Sequence, residues 1–205
     1  MPPSSNTVKV SIIDSTTQMT GIPAASFFEP AISGFEKFSG CSYSFLIEHE
    51  PTGDKLLFDL GSRKDIENHA AAALQMLEAA KGTPLTLKVE KNVSDTLEES
   101  DVELGASTDI IWWHRHLDNT GTRPPSRPPP TSSPEPASGT PRATRAGGWH
   151  AVDRFGDGSF CVLHSPGHTN EHLRGLARTE LAAHSSLPGK DEFALMAGDV
   201  CHHGG

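Results

Sequence analysis

Apolar and polar side chains alternate at Val8-Lys9-Val10-Ser11-Ile12 and again at Tyr43, Phe45 and Ile47, the two-residue period of strands with one face buried. A more apolar run follows at residues 55–60. Pro51-Thr52-Gly53-Asp54 is strong turn chemistry between the last two, so they are expected to form a hairpin. Across residues 15–40, Gly21, Pro23, Pro30 and Gly34 interrupt any period, which predicts a loop packed on the domain. Asp59-Leu60-Gly61 closes the second hairpin strand with residues that ordinarily serve a turn. The spacing then changes to three and four: Ile66, Ala70, Leu74 and Leu77 share one face of a predicted helix. Ser62 is its expected N-cap, Asp65 reaches back to the first turn, and Gly82 and Pro84 end it. A strand at 85–89 and a short helix at 94–99 come next, and Ile110-Ile111-Trp112-Trp113 reads as a buried strand. Strands first, then helix and strand in alternation, define an α/β or α+β domain.

The second half is patterned only in part. Between Asp118 and Gly148 the apolar side chains other than proline are all alanines, and eight of the chain's 16 prolines fall between Pro124 and Pro141. Such a stretch cannot bury enough apolar surface to offset its ordering entropy, so residues 118–148 are expected to be a disordered Pro/Arg/Ser-rich insertion or replaced segment. A solvated loop is its plain reading, and a proline-rich segment for a binding module is the alternative. Structure is expected to return at Trp149, with strands at 152–155 and 160–163 around Gly156-Asp157-Gly158, then at 172–178 and 193–196. The glycine pair Gly204-Gly205 directly behind a ligand-rich loop suggests a domain cut short at its C-terminus.

Composition narrows the functions. A formal charge of −9 over 205 residues argues against nucleic acid or an anionic membrane as partner. Three widely spaced cysteines imply no disulfide framework, and neither a signal peptide nor an apolar stretch of membrane-spanning length is legible. A cytoplasmic, reducing location is expected. Eleven histidines are many for the length. His49, His69, His150 and His184, taken singly, read as surface or satisfied core residues.

His114 and His116 differ. Alternate residues of extended chain share a face, so both imidazoles can point the same way at the end of the 110–113 strand, with Asp118 at the next alternate position. His168, at another strand-to-loop junction, is the natural third nitrogen. Three neutral imidazoles leave a fourth zinc position for water, the arrangement of a catalytic site.

His114-Arg115-His116-Leu117-Asp118-Asn119 resembles the His-x-His-x-Asp-His signature of the metallo-β-lactamase superfamily. Asp59-Leu60-Gly61 resembles that family's earlier acid-x-glycine, Ser165-Pro166-Gly167-His168-Thr169 its Pro-Gly-His-Thr motif, and Gly198-Asp199 its Gly-Asp motif. The 198–204 run and Phe155-Gly156-Asp157-Gly158-Ser159 look most like fungal lactamase-like hydrolases of the superfamily. The resemblance implies a single domain over 1–205 with an αβ/βα sandwich fold, incomplete at the C-terminus. It implies metal ligation by His114, His116 and His168, with Asp118 and Asp199 serving a second metal and Asp118 orienting the attacking water. It implies a small-molecule cyclic amide or ester as substrate, in xenobiotic detoxification or secondary metabolism. Asn119 stands where the signature has its last histidine, and an amide oxygen is a poor zinc ligand. The expectation is therefore one tightly bound zinc, a degenerate second site, and reduced or lost activity. The rival reading is a catalytically inactive pseudoenzyme acting as a binding module.

Overall fold

The computed structural model describes residues 1–26, 28–102, 108–113, 119, 121–122, 141–167 and 169–198. They build two five-stranded sheets, ordered β4-β1-β2-β3-β5 and β10-β9-β8-β7-β6. In the first sheet β1 (Lys9–Pro23), β2 (Lys37–His49), β3 (Asp54–Phe58) and β4 (Thr86–Val89) pair antiparallel, and β5 (Thr108–Ile111) lies parallel to β3. The second sheet is an antiparallel meander of β6 (Arg142–Ala146), β7 (Trp149–Asp153), β8 (Phe160–His164), β9 (Leu173–Glu180) and β10 (Glu192–Met196).

The sheets are held by their facing side chains. Ile47, Leu56 and Phe58 of the first sheet meet Phe160, Ala177 and Met196 of the second, joined by Val8, Trp113 and Phe155. Burial of side chains of this size stabilises by about 1.5–3 kcal/mol each. On the other face of the first sheet, Ile13, Leu46, Leu57 and Leu60 pack against Val93 and Leu97 of helix α2 (Val93–Glu99). Alternation along β3 thus serves two layers at once: Leu56 and Phe58 face the opposite sheet, Leu57 faces the helix. That is why residues 56–60 are all buried and read as a continuous apolar run.

Helix α2 carries a capping box, with Asn92 Nδ2 and backbone N bonded to Asp95 Oδ2 and the reciprocal bond also present. The helix predicted from Ser62 is different. A 3-10 turn spans Ile66–Asn68 and α1 begins only at Ala71, running to Ala79 with no buried residue. Ser62 is instead buried, its backbone N donating to Thr17 Oγ1, and Asp65 pairs with Arg63. The periodic face of Leu74 and Leu77 is real in sequence but meets no core, so tertiary placement shortened the helix.

Residues 15–40 are also corrected. β1 continues to Pro23 and β2 starts at Lys37, so much of the expected loop is a long antiparallel arm. Gly21 falls within a register shift between Met19 and Ile22, Pro23 closes β1, and Pro30 and Gly34 lie between the two strands. In the expected structureless stretch, β6 begins at Arg142 rather than order returning at Trp149, paired to β7 through Gly147 (φ 56°) and Gly148 (φ 85°). Positive φ at two central residues is what a two-residue hairpin turn requires. Residues 123–140, and with them the proline-rich core of that expectation, lie outside the described residues.

Ile110-Ile111-Trp112-Trp113 forms a strand and its exit, but only Trp113 is buried, while Trp112 is 45% exposed. β5 is an edge of its sheet among the described residues, and an edge strand has one flank open.

Of the four histidines read as bland, His49 is a satisfied core residue: Nδ1 meets Thr52 Oγ1 at 2.8 Å, Nε2 meets Asp157 Oδ2 at 2.9 Å, and the ring stacks on Phe155. His150 and His184 are exposed. His69 departs from expectation, being buried with no hydrogen bond to Nε2 among the described residues, and burial lowers its pKa, with Arg63 adding to the effect. Among the described residues no helix is long and apolar enough to cross a membrane.

Candidate metal centre at the strand ends

The C-terminal ends of β3, β5, β8 and β10 come together at one edge of the sandwich. At the end of β3, Asp59 leaves the sheet at φ 73°, and its Oδ1 accepts from the backbone N of Leu60 (2.5 Å) and Gly61 (3.1 Å). Its carboxylate caps the turn it makes, which is the ordinary role of an acid there. Asp59 is fully buried, and its backbone N donates to Ile111 O (2.9 Å), tying the turn to the end of β5.

Past β5 the chain returns over this turn. A Cβ at Gly121 would lie 2.2 Å from Leu60 O, so Gly121 rests directly on the Asp59-Leu60-Gly61 backbone. Asn119 just before it is fully buried, and Thr122 Oγ1 bonds Asn92 Oδ1 (2.9 Å) and Asp65 Oδ1 (3.3 Å). The chain just past the His114–Asn119 motif is therefore laid against the Asp59-Leu60-Gly61 turn.

The third and fourth motifs join from the opposite sheet. Leu173 N donates to Trp113 O at 2.9 Å, linking β9 to the exit of β5 across the two sheets. Trp113 meets Phe58 edge to face, with ring centroids 5.7 Å apart. Ser165, at the end of β8, donates its backbone N to His172 O (2.9 Å), and Gly167 N and His172 N both donate to Thr169 O (3.1 and 3.4 Å). The loop that carries His168 is thereby closed at its base. Gly198, beyond β10 at φ 60°, packs so closely that a Cβ there would be 2.9 Å from His172 Nε2 and 3.1 Å from Trp113 Cδ2.

His114, His116, Asp118, His168 and Asp199 themselves lie outside the described residues. His114, Asp118, His168 and Asp199 each adjoin a described residue in this cluster, Trp113, Asn119, Gly167 and Gly198 respectively. Among the described residues no group of three His, Cys, Asp or Glu side chains could hold a metal. The chemistry of the predicted donor set, three imidazoles with two carboxylates, fits a zinc ion.

Sequence reasoning overlooked His172. It is fully buried with Nδ1 2.9 Å from Ser165 Oγ, and Ser165 is itself buried. It was read only as the start of a strand. The available signal was a histidine at the head of a predicted strand, four residues past His168.

Beside the cluster a cleft of about 510 Å³ runs between the β5 edge and β7–β9. Ile110, Ile111, Val152, Val162 and Leu173 give it apolar walls. An ion pair between Arg154 and Asp109, residues that also line it, links the two sheets.

Comparison with known proteins agrees with this architecture. The chain belongs to the metallo-β-lactamase superfamily, among the fungal gamma-lactamases and related metallo-hydrolases. It is 34% identical over 240 aligned positions to the gamma-lactamase FDB1 of Fusarium pseudograminearum, an alignment covering 100% of this chain and 56% of that protein. With the gamma-lactamase MBL2 of Gibberella moniliformis it shares 31% identity over 182 positions, covering 73% of this chain and 72% of that one. The chain thus spans little more than half the length of the first of these relatives. In fold it is similar to an N-acyl homoserine lactone hydrolase solved with a product at its catalytic metal centre, with a TM-score of 0.50 and 15% identity over 86% of this chain and 72% of that one. No family model matches the sequence. The α/β fold is the αβ/βα sandwich of this superfamily.

Proposed function

We propose that this chain is a zinc-dependent hydrolase of cyclic amides or esters, of lactam or lactone type, holding one zinc tightly at His114, His116 and His168. The observation that carries the reading is the meeting of four strand ends at one edge, with Trp113, Asn119, Ser165 and Gly198 at its centre, each within three residues of a predicted ligand. The lactamase relatives and the lactonase-like fold support the substrate class.

When bound, zinc supplies Lewis acidity and a nucleophile at neutral pH. Asp118 orients the attacking water and holds its proton at a carboxylate oxygen, the role of a positioned general base. Asp118 and Asp199 remain for a second metal, but Asn119 offers an amide where an imidazole would complete that site. The single zinc and reduced turnover follow from this one substitution. The cleft along β5 has the size and apolar lining to take the part of a substrate away from the ring. Residues 1–205 act here as one domain in a reducing cytoplasm, with xenobiotic detoxification or secondary metabolism as the setting.

Zinc titration of metal-free protein tests the reading. One equivalent per chain is expected, together with ring opening of a strained γ-lactam or lactone, and His116→Ala is expected to lose both. Two tightly held zincs per chain would overturn the one-metal assignment, and no ring opening at any zinc concentration would overturn the hydrolase.

A further inference from the structure

We propose that His172 is a positioning residue for the metal centre: its buried imidazole is the wedge that fixes the three segments bearing His114, His168 and Asp199 relative to one another. The inference rests on the metal site assigned above and concerns a residue outside its ligand set.

Three contacts converge on this residue. Ser165 Oγ lies 2.9 Å from Nδ1 and 3.3 Å from the His172 carbonyl, and Ser165 N donates to the same carbonyl. These bonds clamp the strand end that leads, three residues on, to His168. The next residue, Leu173, donates its N to Trp113 O, which directly precedes His114. On the far side of the ring, Gly198 approaches Nε2 and Cε1 so closely that no Cβ fits, and the same glycine lies against the indole of Trp113. Asp199 is the next residue. Through its ring at Ser165 and Gly198, and through the backbone of Leu173 at Trp113, His172 is tied to the residue just before, or three before, a predicted ligand on each segment.

Burial makes the arrangement stiff. His172 and Gly198 leave no space between them, and Ser165 is 1% exposed. A packed interior transmits a displacement rather than absorbing it. Loss of the ring would open a void between strand exits that belong to different sheets, and their spacing sets where the ligands fall. Removing a residue that orients the metal-ligating side chains typically costs about 10–100-fold in metal affinity.

The test compares metal binding by the wild-type chain and by His172→Ala, His172→Asn and Ser165→Ala. Zinc affinity is read by competition with a chromophoric chelator, and geometry by the visible absorption of the cobalt(II)-loaded protein. Circular dichroism of the metal-free proteins reports folding. His172→Ala is expected to weaken zinc by about 10–100-fold and to alter the cobalt spectrum. His172→Asn, whose amide can still reach Ser165 Oγ, is expected to recover part of both. Ser165→Ala is expected to show a smaller loss in the same direction, and it decides the matter if His172→Ala does not fold. Wild-type zinc affinity and an unchanged cobalt spectrum in folded His172→Ala, or in Ser165→Ala where the first does not fold, would overturn the proposal while leaving the metal site standing. A wild-type chain that takes up no zinc would overturn the metal site, and the positioning role with it.

Discussion

Replacing Asp157 with Asn removes the charge from a staple that joins the two sheets at the β2–β3 turn. Asp157 Oδ2 accepts from His49 Nε2 (2.9 Å) and Asn6 Nδ2 (2.8 Å), and Oδ1 accepts from Ser159 N (2.9 Å) and Ser159 Oγ (2.6 Å). Burial alone would push this carboxyl up, but the bonds from Ser159, Asn6 and His49 outweigh it and hold the pKa down to about 2, from an ordinary 3.8. That gap corresponds to about 2.4 kcal/mol in full. The side chain is 23% exposed, so solvent screening leaves about 1–2 kcal/mol. Because the folded-state pKa is depressed, this stability is present above the unfolded value and is lost as pH falls through about 4 toward 2. In Asp157→Asn the amide NH₂ must face a donor on one side, which adds about 1–3 kcal/mol. Urea unfolding from pH 2 to pH 7 is therefore expected to show the variant about 2–5 kcal/mol less stable near neutrality, with the gap narrowing by about 1–2 kcal/mol below pH 4. Parallel stability curves for the two proteins, or a gap that widens as pH falls, would refute the reasoning.

Gly121→Ala is expected to destabilise by about 1–3 kcal/mol in thermal melts, because its Cβ would fall 2.2 Å from Leu60 O; an unchanged melting temperature would show that the 119–122 chain does not rest on the Asp59 turn. Cys161 is buried, and burial, with Asp153 adding to it, pushes its thiol up to about 11. At pH 8 iodoacetamide is therefore expected to label exposed Cys41 in the folded protein and Cys161 only after unfolding, as read by peptide mass spectrometry. Equal labelling of the two in the folded state would contradict the packing around β8.

The local periods that alternation and turn chemistry encode came through well. The β2–β3 hairpin, helix α2 and the strand pair around Gly156-Asp157-Gly158 are visible in sequence because each depends on neighbours a few residues apart. The family was legible too, since four short motifs occur in order. What sequence could not decide was which apolar faces find a partner. Leu74 and Leu77 are spaced for a helix face yet reach only partial burial and join no core cluster, and α1 spans nine residues. Residues 15–23 carry breakers yet remain a strand, because β2 and β4 supply partners on both flanks of β1. β6 has almost no apolar signal and exists because β7 lies beside it.

The same division runs through the candidate site. Residue type and spacing pointed to His114, His116, Asp118 and His168, because ligand chemistry is carried by residue type, and the family resemblance added Asp199. His172 was invisible at that level, since a lone histidine has no meaning until something is known to surround it. Tertiary structure placed Ser165 and Gly198 against its ring and tied Trp113 to the next residue, Leu173, from segments up to 85 residues apart, Trp113 to Gly198. Sequence fixes which donors are available; only packing between the two sheets decides which residues stand behind them.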